Sequence, residues 1–108
     1  MKMTDQCKVT VDSGVCKMIT VIDAKENEMG LVELSIKSDC PHVLMMSWNV
    51  QPVCAYTEVE APMCETDVYK LATKYLPHAA CPVPCGMVKA IEVAGNLGLK
   101  RDVSVKIE

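Results

Sequence analysis

The 108 residues carry 11 basic and 14 acidic side chains, for a formal net charge of −3 and a pI near 5.3. That balance excludes a chain whose main work is gripping nucleic-acid phosphates, which takes clustered Lys and Arg. Half of the residues are hydrophobic and 23% are charged, as in an ordinary globular domain, so one domain over residues 1–108 is expected. Sulfur is over-represented, with seven Cys and eight Met against no Phe.

Cys7, Val9 and Val11 alternate with Lys8, Thr10 and Asp12, the period of a half-buried strand. Asp12-Ser13-Gly14 is a turn signal. A second strand is expected over residues 15–24, rich in Val, Ile and Thr, and a polar connection over 25–30 follows. Val32, Leu34 and Ile36 then alternate with Glu33, Ser35 and Lys37. Three strands joined by short turns make an antiparallel meander the simplest arrangement.

The period changes at Ser38-Asp39-Cys40-Pro41, where a polar stretch ahead of a proline marks a helix start and predicts a short helix over 41–49. Residues 51–63 contain two prolines and little periodicity and read as a loop. Thr66 or Asp67 caps a helix whose stripe is Val68, Leu71, Ala72, Tyr75 and Leu76, stopped by Pro77. Cys81-Pro82-Val83-Pro84 opens another helix running to about 96, with Met87, Ile91 and Ala94 on its core face. Val103, Val105 and Ile107 alternate with Ser104, Lys106 and Glu108, which predicts one more strand. The expected class is α+β, with an antiparallel sheet of about four strands in the order βββ-α-α-α-β and helices on one face.

Targeting signals are missing from the pattern. No apolar run follows the N-terminal charges, and no stretch approaches the ~18 apolar residues of a membrane span, so a cytoplasmic chain without membrane contact is expected. An odd number of cysteines in a reducing compartment disfavours a disulfide framework. Metal or cluster ligation, reactive thiol chemistry and core packing remain.

Cys40 and Cys81 each precede a proline at a helix start, and Cys16 follows the first turn. A helix N-terminus carries unpaired N–H groups and partial positive charge, which favour the thiolate form of a thiol placed there. If a strand end and two helix starts meet at one edge, Cys16, Cys40 and Cys81 form a thiolate set, with Cys85, one turn beyond Cys81, as a fourth metal ligand. An iron–sulfur cluster is the leading cofactor and zinc the alternative, although the C-x2-C knuckles of zinc ribbons are missing. The competing reading is that some or all thiols only fill space and no cofactor is bound. Cys7 reads as core on the apolar side of its strand, and Cys54 and Cys64 as loop residues. His42 and His78 read as surface or helix-end residues, and Met45, Met46 and Met87 as core filling. Glu58, Glu60, Glu65 and Asp67 read as a solvated acidic face. Phosphate loops, H-E-x-x-H and G-x-S-x-G are all missing, so an enzyme is the less favoured class. A protein partner or a second copy of the chain remains open.

Ser38-Asp39-Cys40-Pro41-His42-Val43 and His78-Ala79-Ala80-Cys81-Pro82-Val83-Pro84, extended by the blocks over 89–94 and 100–108, resemble a family of short uncharacterised proteins. That family occurs in anaerobic bacteria and methanogenic archaea, and its pattern carries cysteines matching Cys16, Cys40 and Cys81. The resemblance implies a small anaerobe protein, for which cluster chemistry is an apt setting, and implies no activity. Cys81-Pro82-Val83-Pro84 is also similar to the C-P-x-P helix start of bacterial sulfur-carrier proteins. For Cys81 that similarity implies a persulfide-bearing thiol, with Cys85 or Cys40 resolving it.

Overall fold

The computed structural model describes residues 6–108, and the N-terminal segment 1–5 lies outside them. Three strands, β1 (Gln6–Asp12), β2 (Ile19–Glu26) and β3 (Val32–Ser38), form an antiparallel meander in the order β1-β2-β3. The register aligns Val9 with Ile22 and Ile36, and Cys7 with Ala24 and Leu34. Because side chains alternate across the pleat, these residues share one face, and that face is the buried one. The opposite face is polar. There the register sets Lys8 beside Asp23 and Lys25 beside Glu33, opposite charges across neighbouring strands.

Four helices follow: α1 (Pro41–Ser47), α2 (Ala55–Glu60), α3 (Asp67–Tyr75) and α4 (Val83–Ala94). Helix α4 is the hub, packing on β1 and β2 on one side and on α2 and α3 on the other. A helix enclosed on both sides must be apolar nearly all round, and Val83, Pro84, Gly86, Met87, Ala90, Ile91, Val93 and Ala94 are buried. Met87 and Ile91 are wholly inaccessible, as are Ile22 and Met46. Burial of each such side chain contributes about 1.5–3 kcal/mol. Gly86 lets α4 approach the sheet, since a Cβ there would stand 2.6 Å from Val11 Cγ2. The methionines thus serve partly as core, as expected for Met46 and Met87, while Met45 faces outward.

The α+β class and the one-sided helices agree with the sequence expectation. Three details differ. The final segment forms no fourth strand. Residues 99–108 have no regular structure, and Val103, Val105 and Ile107 are exposed, so among the described residues the sheet has three strands. The second strand begins at Ile19 rather than at 15, because Gly14–Cys16 form a 3₁₀ turn. Gly14 takes φ +76°, its N–H is held by Asp12 Oδ1 at 3.0 Å, and Lys17 closes the turn at φ +60°. The expected loop over 51–63 contains α2, and Pro52 and Pro62 lie on either side of it. Its inward residues are Ala55 and Glu58, and a buried glutamate hides the helical period from any apolar count.

Candidate functional site

The cysteine-bearing end of the molecule follows from strand register and helix direction. The β1–β2 connection, with Cys16, lies at the end where Asp12 pairs with Ile19. β3 finishes at the same end, since Ser38 pairs with Thr20, and Cys40 follows at once. Asp39 ties the two together: its N–H donates to Ile19 O at 3.2 Å, and its carboxylate accepts from Ile19 N–H at 3.3 Å. Helix α4 runs antiparallel to β1, because Gly86 lies over Val11 while Gly95 packs on Ala55. Ala55 closely follows Val53, which bridges Val32 at the far end of the sheet. The start of α4, preceded by Cys81, therefore sits at the same end as Cys16 and Cys40.

The local chemistry of the three differs. Cys40 caps α1 with extended φ and ψ, and Pro41 follows in the first helical turn. Its N–H donates to Ser38 Oγ at 3.0 Å, and that hydroxyl is 2.7 Å from Thr20 Oγ1 on the fully buried Thr20. A part-buried hydroxyl pair thus anchors the Cys40 backbone to the sheet. Cys81 does not cap α4; Pro82 does, leaving Cys81 one residue outside the helix with its N–H on His78 O at 3.1 Å. Both cysteines are half-buried against the core, while Cys16 is exposed in its 3₁₀ turn with Sγ 4.0 Å from Ser13 O.

Cys85 does not continue a stripe from Cys81. The helix begins only at Val83, so the four-residue spacing does not span a helical turn. Cys85 is exposed beside Tyr69, whose phenol is pushed up first by burial and then by the Cys85 charge. Among the described residues, no three His, Cys, Asp or Glu side chains stand together as a group able to hold a metal ion. The end of the fold gathers Cys16, Cys40 and Cys81 without closing them into a ligand set. His42 and His78 are exposed, and all seven cysteines are free thiols.

Sequence reasoning missed two features. Cys54 caps α2 from an exposed position, and hydrogen bonds from Thr57 hold its thiol below the usual range. The signal was Cys54-Ala55-Tyr56-Thr57, a helix cap with a hydroxyl three residues on. Cys7 moves the other way, pushed up by burial and eased by the nearby Lys100 ammonium, as its reading as a core residue implies. Glu58 is the second feature, and it corrects the reading of a solvated acidic face. It is only 4% exposed, and its two oxygens accept from Asp67 N–H at 3.1 Å and Val68 N–H at 2.8 Å. Together with Thr66 Oγ1, which accepts from Tyr69 N–H at 3.1 Å, it satisfies the first turn of α3. Glu58 is therefore a helix cap reaching across from α2, placed where a negative charge meets the positive end of the α3 dipole.

A groove of about 430 Å³ lies elsewhere, bordered by Leu34, Val50, Val53, Leu71 and Lys74, and no cysteine lines it. No helix of the described residues is long and apolar enough to cross a membrane.

Fold and thiols together define a small cysteine-rich α+β protein, a three-stranded antiparallel sheet with helices on one face and three thiols at one end. The chain belongs to the Family of unknown function (DUF6951), whose model matches residues 7–107. No curated protein and no solved structure matches it.

Proposed function

We propose that this chain works through its thiols at the end of the sheet that carries Cys16, Cys40 and Cys81. In this reading it holds an iron–sulfur cluster there, as an electron carrier, cluster carrier or sensor in the cytoplasm of an anaerobic cell. One observation carries the reading: three cysteines far apart in sequence arrive at one end of the fold on three separate segments. Soft thiolate ligands suit iron–sulfur clusters. As placed, the three do not make a closed set. A cluster there draws the segments inward, with Cys85, Cys64 or a ligand from outside the chain in the remaining position. The exposed turn bearing Cys16 is the element free to move, since its side chains bury nothing.

The test is iron and acid-labile sulfide analysis, with visible absorption, on protein prepared without air. The expected result is stoichiometric iron and sulfide that fall together in Cys16→Ser, Cys40→Ser and Cys81→Ser, while Cys54→Ser, beside Val53 at the far end of the sheet, is silent. Protein with neither iron nor sulfide overturns the reading, and zinc alone replaces it with a zinc site.

A second reading rests on Cys81 standing immediately ahead of the α4 cap, half-buried beside Pro82. There the Cys81 thiolate attacks the outer sulfur of a donor persulfide, keeps that sulfur as its own persulfide and releases the donor thiolate. Mass spectrometry after incubation with a persulfide donor then shows an added sulfur that vanishes in Cys81→Ala. An unmodified chain removes this reading.

A further inference from the structure

Beside β3 the fold leaves a groove that no thiol borders and that the cluster reading does not use. Val53 runs antiparallel to the outer edge of β3 and exchanges both backbone bonds with Val32, at 2.7 and 2.9 Å. The pairing goes no further, since no backbone hydrogen bond joins residues 49–51 to Leu34. A strand residue sends its N–H and C=O to one side, and that side alternates along the chain. Leu34 therefore turns both groups to the same outer edge as Val32, where residues 49–51 splay away from β3. The wedge so opened is bordered across from β3 by α3, and its volume is about 430 Å³. Sites for small molecules span roughly 300–1,000 Å³.

The chemistry of the wedge is divided. Val50, Val68 and Leu71 give it apolar walls, and the wholly buried Met87 of α4 lies at its base. Lys70 and Lys74, one helical turn apart on α3, both border it. Among the described residues neither ammonium has an ion pair or a hydrogen bond. Asp67 is the only carboxylate among the described residues at the same border, so the lysines leave an excess of one positive charge. The chain as a whole carries a net charge of −3, and this border runs against it.

We propose that this groove binds a small amphipathic carboxylic acid in its ionised form. The alkyl chain or ring of the acid lies against Val50, Val68 and Leu71, and its carboxylate faces Lys70 and Lys74. Apolar walls reward a hydrocarbon body, and two unpaired ammoniums reward an anionic head. The excess of one charge matches a singly charged head rather than a phosphate dianion. An extended peptide does not run through the groove, because the Val53–Val32 bridge closes one end of it. The inference is independent of the cluster reading, because no cysteine borders the groove.

Amide NMR titration at neutral pH under reducing conditions tests it, with octanoate as the probe and octanol and acetate as its separate halves. Octanoate is expected to saturate one site and to move the Leu34, Val50 and Leu71 signals. Octanol and acetate are each expected to bind at least about tenfold more weakly. Lys70→Glu combined with Lys74→Glu is expected to weaken octanoate about tenfold, with an unchanged circular dichroism spectrum and unchanged octanol binding. Octanoate that does not saturate overturns the inference, as does octanoate that moves only signals away from the groove, such as those of Leu44, Met45 and Trp48. Octanol as tight as octanoate overturns the anionic head, and acetate as tight overturns the apolar body. Octanoate binding that survives the double charge reversal takes the carboxylate away from the lysines and equally overturns it.

Discussion

Strand β1 and the arm over 99–108 carry the same alternation and end up in opposite environments. Val9 and Val11 lie half-buried under α4, with β2 hydrogen-bonded along their strand, while Val103 and Val105 are exposed. The difference lies in what is next to each. β1 is one short connection from its partner and has an apolar helix over its face, whereas the arm leaves α4 and pairs with no strand. Alternation specifies which face a strand buries; it does not supply the surface that buries it.

The largest expected effect breaks or upholds that contrast directly. Ile91→Ala, beneath the sheet in α4, is expected to lower unfolding free energy by about 2–5 kcal/mol in urea denaturation. Val105→Ala is expected to change it by less than about 0.5 kcal/mol. Equal losses at the two positions would mean the arm packs within its own chain. A smaller effect separates two glutamates that look alike in sequence. Glu58→Ala strips the acceptors from two N–H groups of α3 and is expected to cost about 1–3 kcal/mol, against less than about 0.5 for Glu60→Ala. Indistinguishable melting curves for the pair would remove Glu58 from its capping role. The smallest effect compares an exposed thiol with a half-buried one. Cys54 is held below the usual thiol range and Cys7 above it, so alkylation should reach half-maximal rate at lower pH for Cys54 than for Cys7. The reverse order, read by peptide mass spectrometry, would contradict the environments of both.

Local signals served well where chemistry and neighbours lie within a few residues. Pro41 and Pro82 announced helix starts, Thr66 capped α3 as expected, and Met87, Ile91 and Ala94 proved to be the buried stripe of α4. Helix α2 was illegible because its inward residues are a small alanine and a glutamate, and the glutamate's partners lie nine and ten residues away. The thiols were legible only in part. The shared end of Cys16, Cys40 and Cys81 was foreseeable from a meander followed by crossing helices. That Cys81 stands outside its helix, and that Cys85 turns to Tyr69, depended on Pro82 taking the cap.

By itself the sequence determined the class of fold, the apolar faces of β1 and β3 and the core stripe of α3 and α4, because periodicity and capping act between near neighbours in the chain. Tertiary structure alone decided that the last segment adds no strand, that Glu58 is buried on α3, and that Cys16, Cys40 and Cys81 do not close on one another. These depend on groups that meet only after α4 has settled across the sheet. The arm shows the limit of periodicity most clearly: its pattern is that of a strand, and its surroundings leave it without a neighbouring strand in its own chain.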